Sequence, residues 1–579
     1  MCAERVRSIL SDAKGMAMDR RTFLKASGGV LAHGLMAGTS RVFAQGSESA
    51  DLIFLNGAIL TMDERLPLVS AMAIKGQRIV GVGSLESLNK YRGRATEMVD
   101  LQGKGVSPGL IDAHSHLVAF GHMQLRFVIL RPPEVNDFAS LRLKLAQAAS
   151  RKPEGEWIVG RGFKDFKEGH YPRRRDLDDA TPKHPVLIID WGGQFGVANT
   201  MALKKAGLLS ATTKDPYGGK YLRDKNGVPD GLLVHYPAIY SVHKPVAGEI
   251  EQEQFAAWAS GQFLENGVTC VHDNFSTVET AKTYWKMDHA GVLSMRVLVY
   301  PYLWNIEHTQ RVVGGMQRTQ GRMARLQGFK LAVDGFAMMY QVPANQEHLN
   351  IPMHPQDKFR EMISTIHRAD YQVDVHAVGD KGVDWTLDAF SRAAGGDSRV
   401  RDRRHRIEHF PFRKIDSIKR AAAMGVPVCV QPTSIVVRAD DFLERRGSLP
   451  DNRTQVETLI PCNSFLKEHV PLAFGADVPA FPTHLPLDSI RCAMERKTVR
   501  GRFLDPSEAI SFQECLRVHT MGGAWAAFDE GELGSLQPGK LADFVVWNKD
   551  LQQIKTAGDL DTLQATSTYV GGKKVFARA

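Results

Sequence analysis

Residues 109–117 read Gly109-Leu110-Ile111-Asp112-Ala113-His114-Ser115-His116-Leu117. In an extended strand successive side chains alternate sides, so His114 and His116 project to one face and their imidazoles converge. Convergent imidazoles ordinarily bind a metal ion. Chance alone can set two of the chain's 20 histidines at this spacing, so the remaining ligands must be found elsewhere.

Working outward, the chain repeats a short apolar run, a polar or Gly-containing turn, and a helical pattern such as EMISTIHRAD or VDWTLDAFSRAA. Strands are expected at 106–112, 267–273, 295–300, 329–334, 372–376, 406–409, 426–431 and 472–477. Eight is the number that a closed parallel barrel requires. The expected class is therefore α/β, a (β/α)8 TIM-like barrel over 108–528 with a large insertion at about 118–260 after the first strand. Alternating apolar residues and turn signals at 50–107 plus 529–579 predict a composite β-sandwich built from both termini.

The polar residues fall where such a barrel places its chemistry. His114 and His116 close the first strand, Lys330 lies in the fourth (GFKLAVDG), His376 ends the fifth, His409 the sixth and Asp477 the eighth. The C-terminal strand ends of a parallel barrel form its active face, so these residues should meet. Four imidazoles, a lysine and a carboxylate suit zinc or a similar divalent ion. Alternation turns Glu408 away from its neighbour His409, which predicts packing or an ion pair on the barrel exterior.

This pattern resembles the metal-dependent amidohydrolase superfamily, and within it amidohydrolase family 3, the YtcJ-like hydrolases that include N-substituted formamide deformylases. The matching segments are GLIDAHSHL, the Lys330, Asp334, Gly335 spacing, HAVGDKGVD, RHRIEHF, GADVP and GSLQPGKLADFVV. The resemblance implies that His114, His116 and Asp477 bind one divalent ion and His376 and His409 a second, with zinc the expected metal. It also implies an N6-carboxylysine at Lys330 that bridges the two; an unmodified Lys330, ion-paired with Asp334, would leave a single ion. A metal-activated water attacks the carbonyl, and Asp477 serves as general base and then acid, cleaving a C–N bond of an amide, N-formyl group or carbamate. His272 and Asp380 are expected to orient ligands.

Departures from the family pattern lie outside the ligands. Gln194 stands at a usual histidine position, His235 at a usual glutamate, and Ser434 at a usual histidine, while Asn199 is kept. These four are expected substrate contacts, with Trp191, Phe163 and Tyr217 as further candidates for the pocket wall. The reaction class therefore transfers better than the substrate, which is a small molecule.

Asp19-Arg20-Arg21-Thr22-Phe23-Leu24-Lys25, a modest apolar run and Val42-Phe43-Ala44 describe a twin-arginine signal peptide over 1–44. It implies the twin-arginine export machinery as a partner and a periplasmic or otherwise exported protein. Met16 and Met18 are alternative starts. Of the formal net charge of +9, the first 44 residues supply +4, from seven basic and three acidic residues. What remains, with no basic stripe interleaved with aromatics, argues against nucleic-acid binding. Nothing after Met36 resembles a membrane span. Six scattered cysteines form no disulfide framework, and Cys270 and Cys429 read as buried free thiols. The number of subunits stays open, a homo-oligomer among the alternatives. Two other functions compete: ester, lactone or phosphoester hydrolysis on the same metal site, and a noncatalytic periplasmic binding protein.

Overall fold

A computed structural model describes residues 49–579 apart from 165, 245–246, 320, 336–338, 340–351 and 445–456. The twin-arginine signal at 1–44 lies outside the described residues.

The centre is parallel. One sheet runs Ala324–Leu326, Arg296–Pro301, Val268–Ser276, Leu110–Ser115, and a second runs Gly328–Ala332, Gln372–Ala377, Arg406–His409, Val428–Val430, Leu472–Phe474. Residues of Leu110–Ser115, Gly328–Ala332, Val428–Val430 and Leu472–Phe474 are buried throughout. Continuous burial is what helices on the outer face of a parallel sheet produce. Those helices show the matching stripe: in Gln356–Arg368 the buried residues are Phe359, Met362, Ile363 and Ile366, a spacing of three and four that lines one face. Gly395 and Gly425 end the next two helices, Asp380–Ala394 and Ile415–Met424, with φ of 76° and 63°, a conformation that Gly adopts without a Cβ penalty.

Hydrogen bonds join the two sheets on both sides, on one side from just past the inner strand Arg296–Pro301. Leu303 N–H donates to Lys330 O at 3.0 Å, and on the other side Asp477 N–H donates to His114 O at 2.6 Å and His116 N–H to Val478 O at 2.9 Å.

The first strand differs from its expected bounds of 106–112. Gly105–Pro108 belongs to another sheet, and Leu110–Ser115 carries the histidine. The break falls where Pro108 offers no N–H and Gly109 approaches Thr269 so closely that a Cβ would lie 2.1 Å from its Oγ1. The sheet containing Gly105–Pro108 is built from both ends of the chain: Lys573–Ala577, Ala565–Val570, Phe544–Trp547, Gly105–Pro108, Ala58–Leu60, Leu68–Val69. Phe54, from the neighbouring sheet of Arg78–Gly83, Ala71–Lys75, Leu52–Leu55 and Glu97–Asp100, packs edge-on to Phe544 and Tyr569 at 5.1 and 5.4 Å. A buried ion pair, Arg296 to Asp543 at 2.7 Å, ties this terminal unit to the central strands.

The segment after the first parallel strand forms its own six-stranded sheet, in the order Lys220–Arg223, Pro229–Val234, Phe195–Ala198, Val186–Asp190, Ile158–Phe163, Val128–Ile129. Phe163 is fully buried in the core of this unit beside Phe166. It therefore does not line a pocket, because the unit needs an apolar core of its own.

Among the described residues the five cysteines are free and buried, and no helix is long and apolar enough to cross a membrane.

Gly475 is where two strands come too close for any side chain. A Cβ there would sit 2.6 Å from both His114 Cβ and His114 N, atoms that cannot swing aside. Gly475→Ala is expected to cost about 1–3 kcal/mol of stability and to displace His114, read as a lower denaturation midpoint together with lost activity.

Candidate metal centre

His114, His116, His376, His409 and Asp477 converge at the C-terminal ends of the parallel strands. Ring centroids are 5.3 Å apart for His114 and His116, 5.0 Å for His114 and His409, and 4.3 Å for His376 and His409. Asp477 Oδ1 lies 3.0 Å from His116 Nε2 and 3.5 Å from His114 Nε2. One ligand atom from each of His114, His409 and Asp477 lies within 4.8 Å of the others.

Local structure explains the convergence. Asp112, two residues before His114 on the same face, accepts from His114 N–H at 3.1 Å, Ser115 Oγ at 2.9 Å and Ala476 N–H at 3.1 Å. This carboxyl pins the first strand to the segment leading into Asp477. Asp477 itself has φ 51° and His409 has φ 80°. Such left-handed residues break strand alternation and re-aim a side chain.

That break corrects the reading of Glu408. It is fully buried, faces inward, and hydrogen-bonds His114 Nδ1. Arg406 and Glu408 share the inner face as residues two apart, and the turn of the chain at His409 brings that histidine inward as well. The guanidinium of Arg406 donates to Glu408 Oε1 at 2.5 Å, His272 Nδ1 at 2.9 Å and Ala113 O at 2.7 Å. His272 therefore acts at one remove from the ligands, through Arg406 and Glu408.

Lys330 is buried and donates to Asp374 Oδ1 at 2.9 Å. Its partner is not Asp334, whose carboxylate instead accepts the backbone N–H groups of Val378, Gly379 and Met339. The amides of Val378 and Gly379 tie Asp334 to the turn after Gln372–Ala377, the Met339 amide ties it to its own segment, and Asp374, on the adjacent strand, is left for the lysine.

The expected substrate contacts divide. Gln194 Oε1 bonds His235 Nδ1 at 3.0 Å, and both crowd Gly335, one residue past the Asp334 that lies 4.0 Å from His376 Nε2. Ser434 lines a small pocket with Val378, His409, Gln431, Arg438 and Phe481. Asn199 is corrected: buried, it caps the helix Thr200–Lys205 and bonds Val186 N–H and His184 O, so its polar atoms serve the insertion's own fold. Asp380 opens the helix Asp380–Ala394, where it accepts from Lys381 N–H at 2.8 Å. Trp191 packs edge-on to Phe481 at 5.6 Å, whereas Tyr217 is half-exposed against His354. An aromatic wall absent from the sequence reading rises beside His116: Phe275 at 5.7 Å, with Tyr236, Tyr302 and Trp304 packed on it.

Charge and burial decide which nitrogens are free. Burial lowers His116 to about 4 and His409 to about 3, and carries His376 well below its ordinary value. These rings are neutral at pH 7. Burial and the Lys330 charge oppose protonation of His114, but Glu408 and Asp477 hold it up at about 9. Burial also opposes ionisation of Asp477, yet His114 and His116 keep its carboxyl well below the usual range. His376 Nε2 and His116 Nδ1 are buried without a hydrogen-bond partner. His409 Nδ1 is occupied by Gln431 Oε1 at 2.7 Å, which presents Nε2 inward. Unpartnered imidazole nitrogens near an ionised carboxylate suit a divalent cation. The second acidic cluster, His114, Glu408 and Cys429, fits poorly, because Arg406 already neutralises Glu408 and burial raises the Cys429 thiol.

Comparison with known proteins identifies the family. Residues 97–576 match the model of the amidohydrolase family. The chain is 34% identical over 561 residues to the Arabidopsis thaliana protein LONG AFTER FAR-RED 3, covering 91% of this chain and 92% of that one. It is 26% identical over 552 residues to an N-substituted formamide deformylase of Arthrobacter pascens, covering 92% and 99%. An uncharacterized metal-dependent hydrolase from Pyrococcus horikoshii has a similar structure, with TM-score 0.68 and 23% identity over 88% of this chain and 99% of that one. On the extent of the family match and the relatives that span it, this chain belongs to the amidohydrolase family.

Proposed function

We propose that this amidohydrolase hydrolyses a C–N bond, in an amide, N-formyl group or carbamate, at a divalent-metal centre held by the central parallel strands, which close as a (β/α)8 barrel when the consecutive strands Ala324–Leu326 and Gly328–Ala332 count as one. The hydrogen bonds on both sides of the sheets support that closure. In this reading residues 108–528 form the catalytic unit, and 50–107 with 529–579 form the composite β-sandwich. Residues 1–44 direct export through the twin-arginine route.

The observation that carries the reaction is the set of unpartnered buried nitrogens, His376 Nε2 and His116 Nδ1, around an ionised Asp477. His114, His116 and Asp477 would hold one ion, zinc by the character of the donors. His376 and His409 would hold a second if Lys330, carboxylated at Nζ, bridges them. If Asp374 keeps Lys330 as an ammonium, one ion is expected. A bound divalent ion supplies Lewis acidity and lowers the pKa of water from about 15.7 to near 7. Asp477 Oδ1, beside both first-strand imidazoles, accepts a proton from the attacking water and passes it to the leaving nitrogen. Glu408 holds a proton on His114 Nδ1, so His114 gives up its Nε2 proton, and offers that lone pair, when an ion binds. Phe275 and its neighbours exclude water from one side.

Elemental analysis of the purified full chain, before and after chelation, tests this reading beside a panel of matched amides and esters. We expect one or two divalent ions per chain, amide turnover lost on chelation, and recovery on adding zinc. Turnover of esters alone would move the activity to the ester class. A chain that binds no metal and gains no activity from zinc would be a binding protein.

A further inference from the structure

We infer that Arg161 is the anchor for a carboxylate carried by the substrate, so that the centre takes amides bearing an anionic group. The inference rests on the C–N hydrolase reading of the same site.

Arg161 lies in the strand Ile158–Phe163 of the insertion and is partly buried. Its side chain makes no hydrogen bond or ion pair among the described residues, and its Nε is fully enclosed without a partner. A second guanidinium, Arg131, is buried beside it and adds like charge. The Arg131 side chain donates to backbone carbonyls, Pro479 at 2.8 Å and Phe481 at 3.4 Å. It is therefore attached to the segment that leaves Asp477, and it brings the Arg161 strand to the rim of the metal centre.

The two nearby structural markers agree on the location. A Cβ on Gly193 would lie 3.0 Å from Arg161 Nη2 and 3.1 Å from the Tyr236 hydroxyl, so guanidinium and phenol flank one backbone turn. Tyr236 in turn packs on Phe275, the ring against His116. Arg161, Tyr236, Phe275 and His116 thus form a continuous path from an unpaired cation to the reacting centre.

Among the described residues no carboxylate forms an ion pair with that cation within 4.0 Å. Lys164 and Arg438 lie over the Trp191 ring, at 5.4 and 4.7 Å, on the same side. Among the described residues the carboxylate near Arg161 is Asp190, whose oxygens accept the backbone N–H groups of Phe195 at 2.9 Å and Gly192 at 3.3 Å. It forms no ion pair with Arg161 within 4.0 Å. Two arginines packed together, one without a hydrogen bond or ion pair among the described residues, are costly unless an anion joins them. A planar carboxylate matches the guanidinium fork.

The test is binding to the metal-loaded full chain by titration calorimetry, with N-acetylphenylalanine and its neutral carboxamide as the pair of probes. The wild type should bind the acid about 10- to 100-fold more tightly than the carboxamide. Arg161→Ala should erase that difference while leaving the affinity for the carboxamide and the melting temperature near wild type, and Arg161→Lys should keep part of it. Equal binding of both probes by the wild type, or equal weakening of both by Arg161→Ala, would overturn the inference. Turnover is read separately: charge-selective binding without hydrolysis of either probe or of any amide in the panel would overturn the C–N reading and leave the anchor standing.

Discussion

Asp477→Asn is expected to lower kcat by about 100- to 10,000-fold while metal content stays near that of the wild type. The amide keeps an oxygen at the ligand position, and asparagine tolerates the φ of 51° at this residue better than most side chains. What it lacks is a site for the proton. His116 Nε2, 3.0 Å from Oδ1, would face a neutral group that can neither draw a proton from water nor return it to nitrogen. Rate measurements with metal analysis on the same sample check this. Wild-type rates would remove Asp477 from proton transfer, and loss of metal would make it chiefly a ligand.

The largest effect on stability is expected from Glu408→Ala. Truncation leaves Arg406, fully buried, without the carboxylate it contacts at 2.5 Å, and leaves His114 Nδ1 with no acceptor. Removing one member of a buried ion pair typically costs about 3–5 kcal/mol. The loss of a group that orients a ligating histidine should also weaken metal binding about 10- to 100-fold. Denaturant titration and competition with a chelator read the two separately. Glu408→Gln retains an acceptor oxygen for only one of the two neighbours that Oε1 and Oε2 serve, and should recover part of the metal affinity when that oxygen faces His114. Stability and metal binding both near wild type in Glu408→Ala would show that Arg406 and His114 find other partners.

The positions that bear on these variants were unequally legible in the sequence. His114 and His116 announced themselves because a two-residue period is a local property of one strand. The helix Gln356–Arg368 was readable for the same kind of reason, since its buried residues repeat on one face. Glu408 was misread because the rule of alternation fails where the backbone turns left-handed, and nothing in RIEHF states the φ of His409. The Lys330 partner was misplaced because Asp334 is near in sequence, whereas Asp374 is near in space, across two paired strands. Asn199 looked like a contact because a buried amide and a substrate amide call for the same residue. Arg161 gave no signal at all: that an arginine makes no hydrogen bond or ion pair among the described residues shows only in the packing. Asp112, in contrast, sat in the quoted stretch on the face of both histidines, and its position two before His114 was a usable clue.

The sheet shared by the two ends of the chain sets an order of events during synthesis. Ser107 receives the indole N–H of Trp547 at 2.9 Å, across 440 residues. At ribosomal rates of about 5–20 residues per second, that partner emerges roughly 20 to 90 s after Ser107 itself. Until then Gly105–Pro108 has one edge without its neighbour, directly ahead of the strand that carries His114. A nascent chain must therefore hold its first catalytic strand without its final support for most of translation. Closing so long a separation is slow by topology alone, which makes the C-terminal strands Phe544–Trp547 and Ala565–Val570 the clasp that completes the molecule last.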